Sequence, residues 1–128
     1  MRTTIMISWA ACLACVAAPV NLRAQTPTTL FNFDGADGQF PSSRLLQATD
    51  GNLYGTTYGG GANSSGTVFQ IRLNGALKTL HSFCAQSGCA DGGQPVAALV
   101  QATNGNLYGT TLDGGAHGGG TIFEIKLN

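Results

Sequence analysis

After residue 24 the chain runs in short stretches of alternating apolar and polar residues, bounded by Gly, Asn and Asp. That is the period of 2 of a strand with one buried and one wet face. The clearest stretch is Thr67-Val-Phe-Gln-Ile-Arg-Leu73, which returns as Thr121-Ile-Phe-Glu-Ile-Lys-Leu127. Residues 45–49 and 53–57 read as two further strands, with counterparts at 99–103 and 107–111. Between them Asp50-Gly51 and Asn104-Gly105 read as two-residue hairpin turns, because Gly and Asn accept the positive φ of a tight primed turn. Residues 29–33 and 77–83 supply an opening strand to each unit, and Asn74-Gly75 turns the chain from one unit into the next. No stretch after residue 24 has helical spacing.

The two units are copies. Gly51-Asn-Leu-Tyr-Gly-Thr-Thr57 recurs unchanged as Gly105-Asn-Leu-Tyr-Gly-Thr-Thr111, and 21 of the 34 positions in 41–74 match 95–128 at a constant offset of 54. A period of about 50 residues marks arrays and propellers, in which each repeat buries its apolar faces only against its neighbours. Four strands per copy is the content of one propeller blade. The expected fold is therefore all-β: two four-stranded antiparallel propeller-type blades, a partial β-propeller, with repeat 1 over 25–74 and repeat 2 over 75–128, preceded by an N-terminal signal helix. Closed propellers need four or more blades. Two blades leave apolar faces open, which points either to a truncated reading frame or to a protomer that assembles with itself or with further repeats.

Residues 1–24 read as a signal peptide: a basic start at Met1-Arg2, an apolar run over 5–20, and Leu22-Arg-Ala24 as the cleavage site. A retained anchor is the alternative, although the run is shorter than the ~20 residues of a spanning helix. Cys12-Leu-Ala-Cys15 has the spacing of a redox pair but sits inside the apolar run, and a lipid-modified Cys15 is disfavoured by Cys12 at the position three before it, where a lipoprotein signal has an aliphatic residue. The expected location is outside the cytoplasm, in the periplasm, at the cell surface or beyond it, with no membrane span in the mature chain. That mature part sets Arg44, Arg72, Lys78 and Lys126 against six carboxylates. It has no basic stripe for nucleic acid.

Candidate chemistry is sparse. Cys84 and Cys89 lie in the link after the opening strand of repeat 2, four residues longer than its counterpart, and in an exported chain they read as a disulfide closing its own small loop; free thiols and metal ligation are the alternatives. The glycine loops 59–66 and 113–120 lack the Lys and the following helix of a phosphate loop, so they read as hairpin connections. Asp34, Asp37 and Asp91 do not have calcium-loop spacing. His81 and His117 read as packing or surface residues, no serine sits in a nucleophile elbow, and the carboxylates do not pair between copies. Catalytic residues, metal and cofactor are accordingly expected to be absent. Tyr54 and Tyr108 are the candidate binding residues, since an aromatic face beside a turn can stack on a sugar or a partner. Core packing is the competing role for both.

The pattern Leu-His-x-Phe, then Asp-Gly with a nearby Pro, then Asn-Gly-Asn-Leu-Tyr-Gly-Thr-Thr, then Gly-Gly and Gly-Thr-Ile-Phe-Glu-Ile resembles the GloVer tandem repeat of "choice-of-anchor" bacterial surface proteins, in two copies over 29–128. The resemblance implies an exported, propeller-like array and transfers no catalytic residue. The expected function is an exported repeat module that binds or builds structure outside the cytoplasm, with itself, further repeats, a glycan or a surface component as partner. The alternative is a fragment of a propeller-class carbohydrate-active enzyme.

Overall fold

The structure, a computed structural model, describes residues 23–127. The expected signal segment, with Cys12 and Cys15, lies outside the described residues except for Arg23 and Ala24. Eight strands follow in chain order: β1 (Leu46–Gln47), β2 (Leu53–Thr57), β3 (Thr67–Ile71), β4 (Leu77–Ser82), β5 (Gly93–Pro95), β6 (Val100–Gln101), β7 (Leu107–Asp113) and β8 (Ile122–Ile125). A single 3-10 turn, Ser87–Cys89, interrupts them. They form two four-stranded antiparallel sheets, so the chain is all-β as its alternation predicts.

The sheets do not coincide with the sequence repeats. The first sheet runs β1-β2-β3-β4, and its fourth strand is the opening strand of repeat 2. In the second sheet β7 pairs with β8 on one side and, on the other, with β6 near its start and β5 near its end. The expected opening strand at 29–33 is not a strand. A strand needs a neighbour to take its backbone groups, and among the described residues 29–33 form no backbone hydrogen bond. They lie over the outer face of the first sheet, where the Phe33 ring meets Phe69 edge-on at 5.2 Å.

The hairpin turns also differ from expectation. Each is a three-residue turn closed by two backbone bonds, Ala48 N–H to Asn52 C=O at 3.0 Å and Gly51 N–H to Ala48 C=O at 2.9 Å, with the same pattern at 102–106 and 72–76. Only the glycine takes positive φ, 80° at Gly51 and 82° at Gly105. The preceding Asx side chain explains the choice, because it accepts the N–H two residues on and so favours a type I turn followed by a left-handed glycine. Asp50 does this for Asn52 and Asn104 for Asn106, both at 3.0 Å.

One core joins the two sheets. Leu46, Ala48, Tyr54, Val68 and Leu80 from around the first sheet meet Leu99, Leu107, Phe123, Ile125, Leu127 and the Phe83 ring. Removing these side chains from water is the principal favourable term, on the order of 1.5–3 kcal/mol for each large one fully buried. Since alternate residues of a strand face opposite ways, the first sheet presents its Tyr54 face inward and the second its Leu107 face. The repeated glycine in Leu-Tyr-Gly makes room for a ring: a Cβ on Gly55 would stand 2.6 Å from Phe69 Cζ and 2.9 Å from Leu45. Phe123 and Leu99 close over Gly109 in the same way.

Candidate functional site

The repeated threonines are structural. Thr57 Oγ1 lies 2.9 Å from Thr67 Oγ1, accepts the Thr67 N–H at 3.0 Å and donates to the Gly59 carbonyl at 3.0 Å. Thr111 and Thr121 repeat the arrangement at 2.9, 2.8 and 3.0 Å. The hydroxyls thus tie the first residue of each glycine loop to the residue that follows the loop, which explains why both copies need Thr at those positions. The loops themselves close on backbone bonds, Gly66 N–H to Gly60 C=O at 3.0 Å and Gly120 N–H to Gly114 C=O at 2.9 Å, and each leads into a strand.

Tyr54, on β2, is 1% exposed, so neither face of its ring is open to a ligand. Its hydroxyl donates to Asp50 Oδ2 and accepts from Gln70 Nε2, both at 2.7 Å. Burial pushes the Tyr54 phenol above its ordinary value and the adjoining Asp50 carboxylate adds to the shift. The same bond from Tyr54 is the main reason Asp50 is held below the usual carboxylate range, with the Asn52 bonds assisting. Tyr108, on β7, is half-buried. Its hydroxyl accepts from Asn104 at 2.9 Å and donates to Glu124 at 2.8 Å, and Asn106 donates to the same Glu124 oxygen at 2.6 Å. Those two donors, Tyr108 first, lower the Glu124 pKa.

One cluster of polar groups is one that sequence reasoning missed. A cleft of about 300 Å3 runs along β8, lined by His81, Phe83, Asp91, Phe123, Glu124 and Ile125. On one wall His81 Nε2 lies 2.9 Å from Asp91 Oδ2, with the histidine side chain 33% and the aspartate side chain 9% exposed. Burial works to raise Asp91, but the Gln86 and Ala85 N–H groups, each bonding it at 3.1 Å, and His81 hold it below the usual carboxylate range. The cause is the insertion in repeat 2. Cys84 and Cys89 form a disulfide, and the loop they close brings Asp91 back to His81 of β4. Ten residues separate His81 from Asp91, and only the closed loop brings them together, so their spacing carried no signal; the four-residue insertion and its cysteine pair were the available clue.

The remaining candidates stay apart. Asp34 and Asp37 bond the N–H groups of Ala36 and Asp34 at 2.9 and 3.2 Å, as turn residues do. His117 is exposed in its glycine loop. Among the described residues no group of three or more His, Cys, Asp or Glu converges to hold a metal ion. No helix among them is long and apolar enough to cross a membrane.

No curated protein and no solved structure matches the chain. The family model described as the Gloeobacter/Verrucomicrobia repeat matches residues 17–128, which takes in both copies of the tyrosine-bearing hairpin, and the chain belongs to that repeat family.

Proposed function

We propose that the chain is an exported, non-enzymatic repeat module of propeller type, acting in binding or structure at the cell surface or outside the cell, with the cleft along β8 as its binding site. The cleft carries the reading. It combines an apolar wall of buried Phe83 and half-buried Phe123 and Ile125 with polar groups already held by the protein: His81 by Asp91, Asp91 by two backbone N–H groups, Glu124 by Tyr108 and Asn106. An apolar wall with a few polar groups held in fixed directions is the composition of a recognition groove. Export is supported by the disulfide, a bond that persists in oxidising compartments. The propeller assignment is supported by inequivalent sheet faces stacking in sequence and by a strand passed from one repeat to the sheet of the other.

The alternative, a fragment of a propeller-class carbohydrate-active enzyme, is favoured by one observation: the His81–Asp91 pair and the Glu124 carboxylate line the same cleft. Incubating the purified chain with a polysaccharide panel and assaying new reducing ends separates the two. No release is expected, and ligand-induced NMR shifts should concentrate on His81, Asp91 and β8. Release abolished by His81→Ala would replace the binding reading with the enzymatic one, and shifts confined to another surface would displace the site.

A further inference from the structure

Resting on the repeat-module reading but naming its partner, we propose that the cleft's occupant is a second copy of this chain: residues 29–33 of one copy pair with the open edge of β8 in another, so that copies join head to tail.

The molecule contains this joint once already. β4 pairs with the edge of β3, and just beyond it the Phe83 N–H donates to the Gly66 carbonyl at 3.0 Å. The same stretch sets the Phe83 ring on Phe123 of the second sheet, 5.0 Å away at 66°. One segment therefore closes the edge of one sheet and covers the face of the next. Residues 29–33 are its counterpart in the first repeat, and they already hold its shape. The Phe33 ring sits on Phe69 at 5.2 Å and 64°, and Phe31 meets Phe33 at 5.2 Å and 77° where His81 meets Phe83 at 4.9 Å and 84°. What these residues lack is the edge: their backbone forms no hydrogen bond among the described residues.

The matching vacancy is at β8. The offset of 54 places Ile122 and Glu124 where Val68 and Gln70 stand, facing β4. No strand among the described residues covers that side of β8. Its outer face is open as well. Ile122 is 82% and Val100 60% exposed, whereas their counterparts Val68 and Leu46 belong to the shared core. A row of unpaired N–H and C=O groups flanked by exposed apolar side chains is a template for an incoming strand. The segment that fits it is the one that fits its internal equivalent, a short aromatic strand delivering the Phe33 N–H to Gly120 of the second copy as Phe83 delivers its own to Gly66. The head and tail surfaces differ, so the joint is heterologous.

Sedimentation of the full chain across micromolar concentrations tests this, with circular dichroism as the check on folding. The wild type is expected to associate with concentration. Ile122→Lys, at a side chain that contributes nothing to the core, places a charge on the edge and should weaken association by about tenfold or more. Phe31→Pro removes a donor that the joint uses and that bonds no backbone carbonyl among the described residues, and it should weaken association similarly, while Phe31→Ala, which keeps the N–H, should weaken it less. Each variant retains one sound end, so mixing Ile122→Lys with Phe31→Pro should give a complex that stops at two copies. A wild type monomeric at every concentration, association indifferent to both variants, or a mixture that fails to pair would each overturn the proposal. A monomer that still binds a ligand in the β8 cleft would leave the module reading standing, so the two can fail separately.

Discussion

In the first repeat the Tyr54 hydroxyl is held between Asp50 and Gln70 beneath the second sheet; in the second, Tyr108 is held between Asn104 and Glu124 and stays half-exposed. The acid and the amide have exchanged ends. Asp50 becomes Asn104 and Gln70 becomes Glu124, so each tyrosine keeps one carboxylate and one amide although neither partner is the same residue type. Local hydrogen bonding is thus reproduced by compensating differences. Burial is not reproduced, because it depends on which sheet face a neighbour covers: identical Leu-Tyr pairs bury the tyrosine in one copy and the leucine in the other.

Breaking this comparison should give unequal costs from equal changes. The largest effect is expected for Tyr54→Ala, on the order of 3–5 kcal/mol because a fully buried ring leaves a cavity. Tyr108→Ala should cost less than half of that, and urea unfolding of the two variants measures the difference; equal costs would mean that the second sheet does not cover Tyr54. Thr57→Val comes next at about 2 kcal/mol, since it leaves the buried Thr67 N–H without an acceptor. Its counterpart Thr111→Val should cost less, because the Thr111 and Thr121 pair is only partly buried.

The double substitution of Cys84 and Cys89 by Ser probes the one feature that repeat 1 lacks. A ring this short constrains little unfolded-chain entropy, so the melt should fall by an amount equivalent to about 2 kcal/mol or less. The loss of the His81–Asp91 contact, read from the histidine ring NMR signals, should accompany it. The smallest effect is acid sensitivity. The Asp50 pKa is lowered on folding, so its contribution is complete above the unfolded value near pH 4 and is lost as pH falls through the folded value. Urea midpoints measured from pH 5 to pH 2 should therefore fall less steeply for Asp50→Asn than for the wild type, and parallel profiles would show that the Tyr54 bond does not set that limb.

Much of the fold was legible because it is local. Alternation located β2, β3, β4, β7 and β8, and the Asx-Gly pairs located the hairpins, since turn chemistry and strand period are properties of a few adjacent residues. The turns were misjudged by one residue, because the Asx side chain competes for the backbone and converts a primed pair into a type I turn with its glycine in the left-handed region. The strand expected at 29–33 was misjudged for a different reason. Its sequence has the right period, but a strand is completed by a partner and none stands beside it among the described residues.

The candidate site was hardly legible at all. Tyr54 and Tyr108 stood out by repetition, while the His81–Asp91 pair, which does not repeat, did not. Repetition reports what the scaffold requires twice, and a groove wall built by an insertion in one copy leaves no such trace.

The sequence by itself determined a duplicated sheet-forming unit, its turns and the threonines and glycines that brace them, because each follows from the chemistry of neighbouring residues. Only the tertiary structure decided which repeat lends its strand to which sheet, which of two identical tyrosines is buried, and where a histidine finds its carboxylate. Those outcomes depend on contacts between segments far apart in the chain, and pairing between distant edges and faces is fixed by the whole assembly of strands rather than by any one of them.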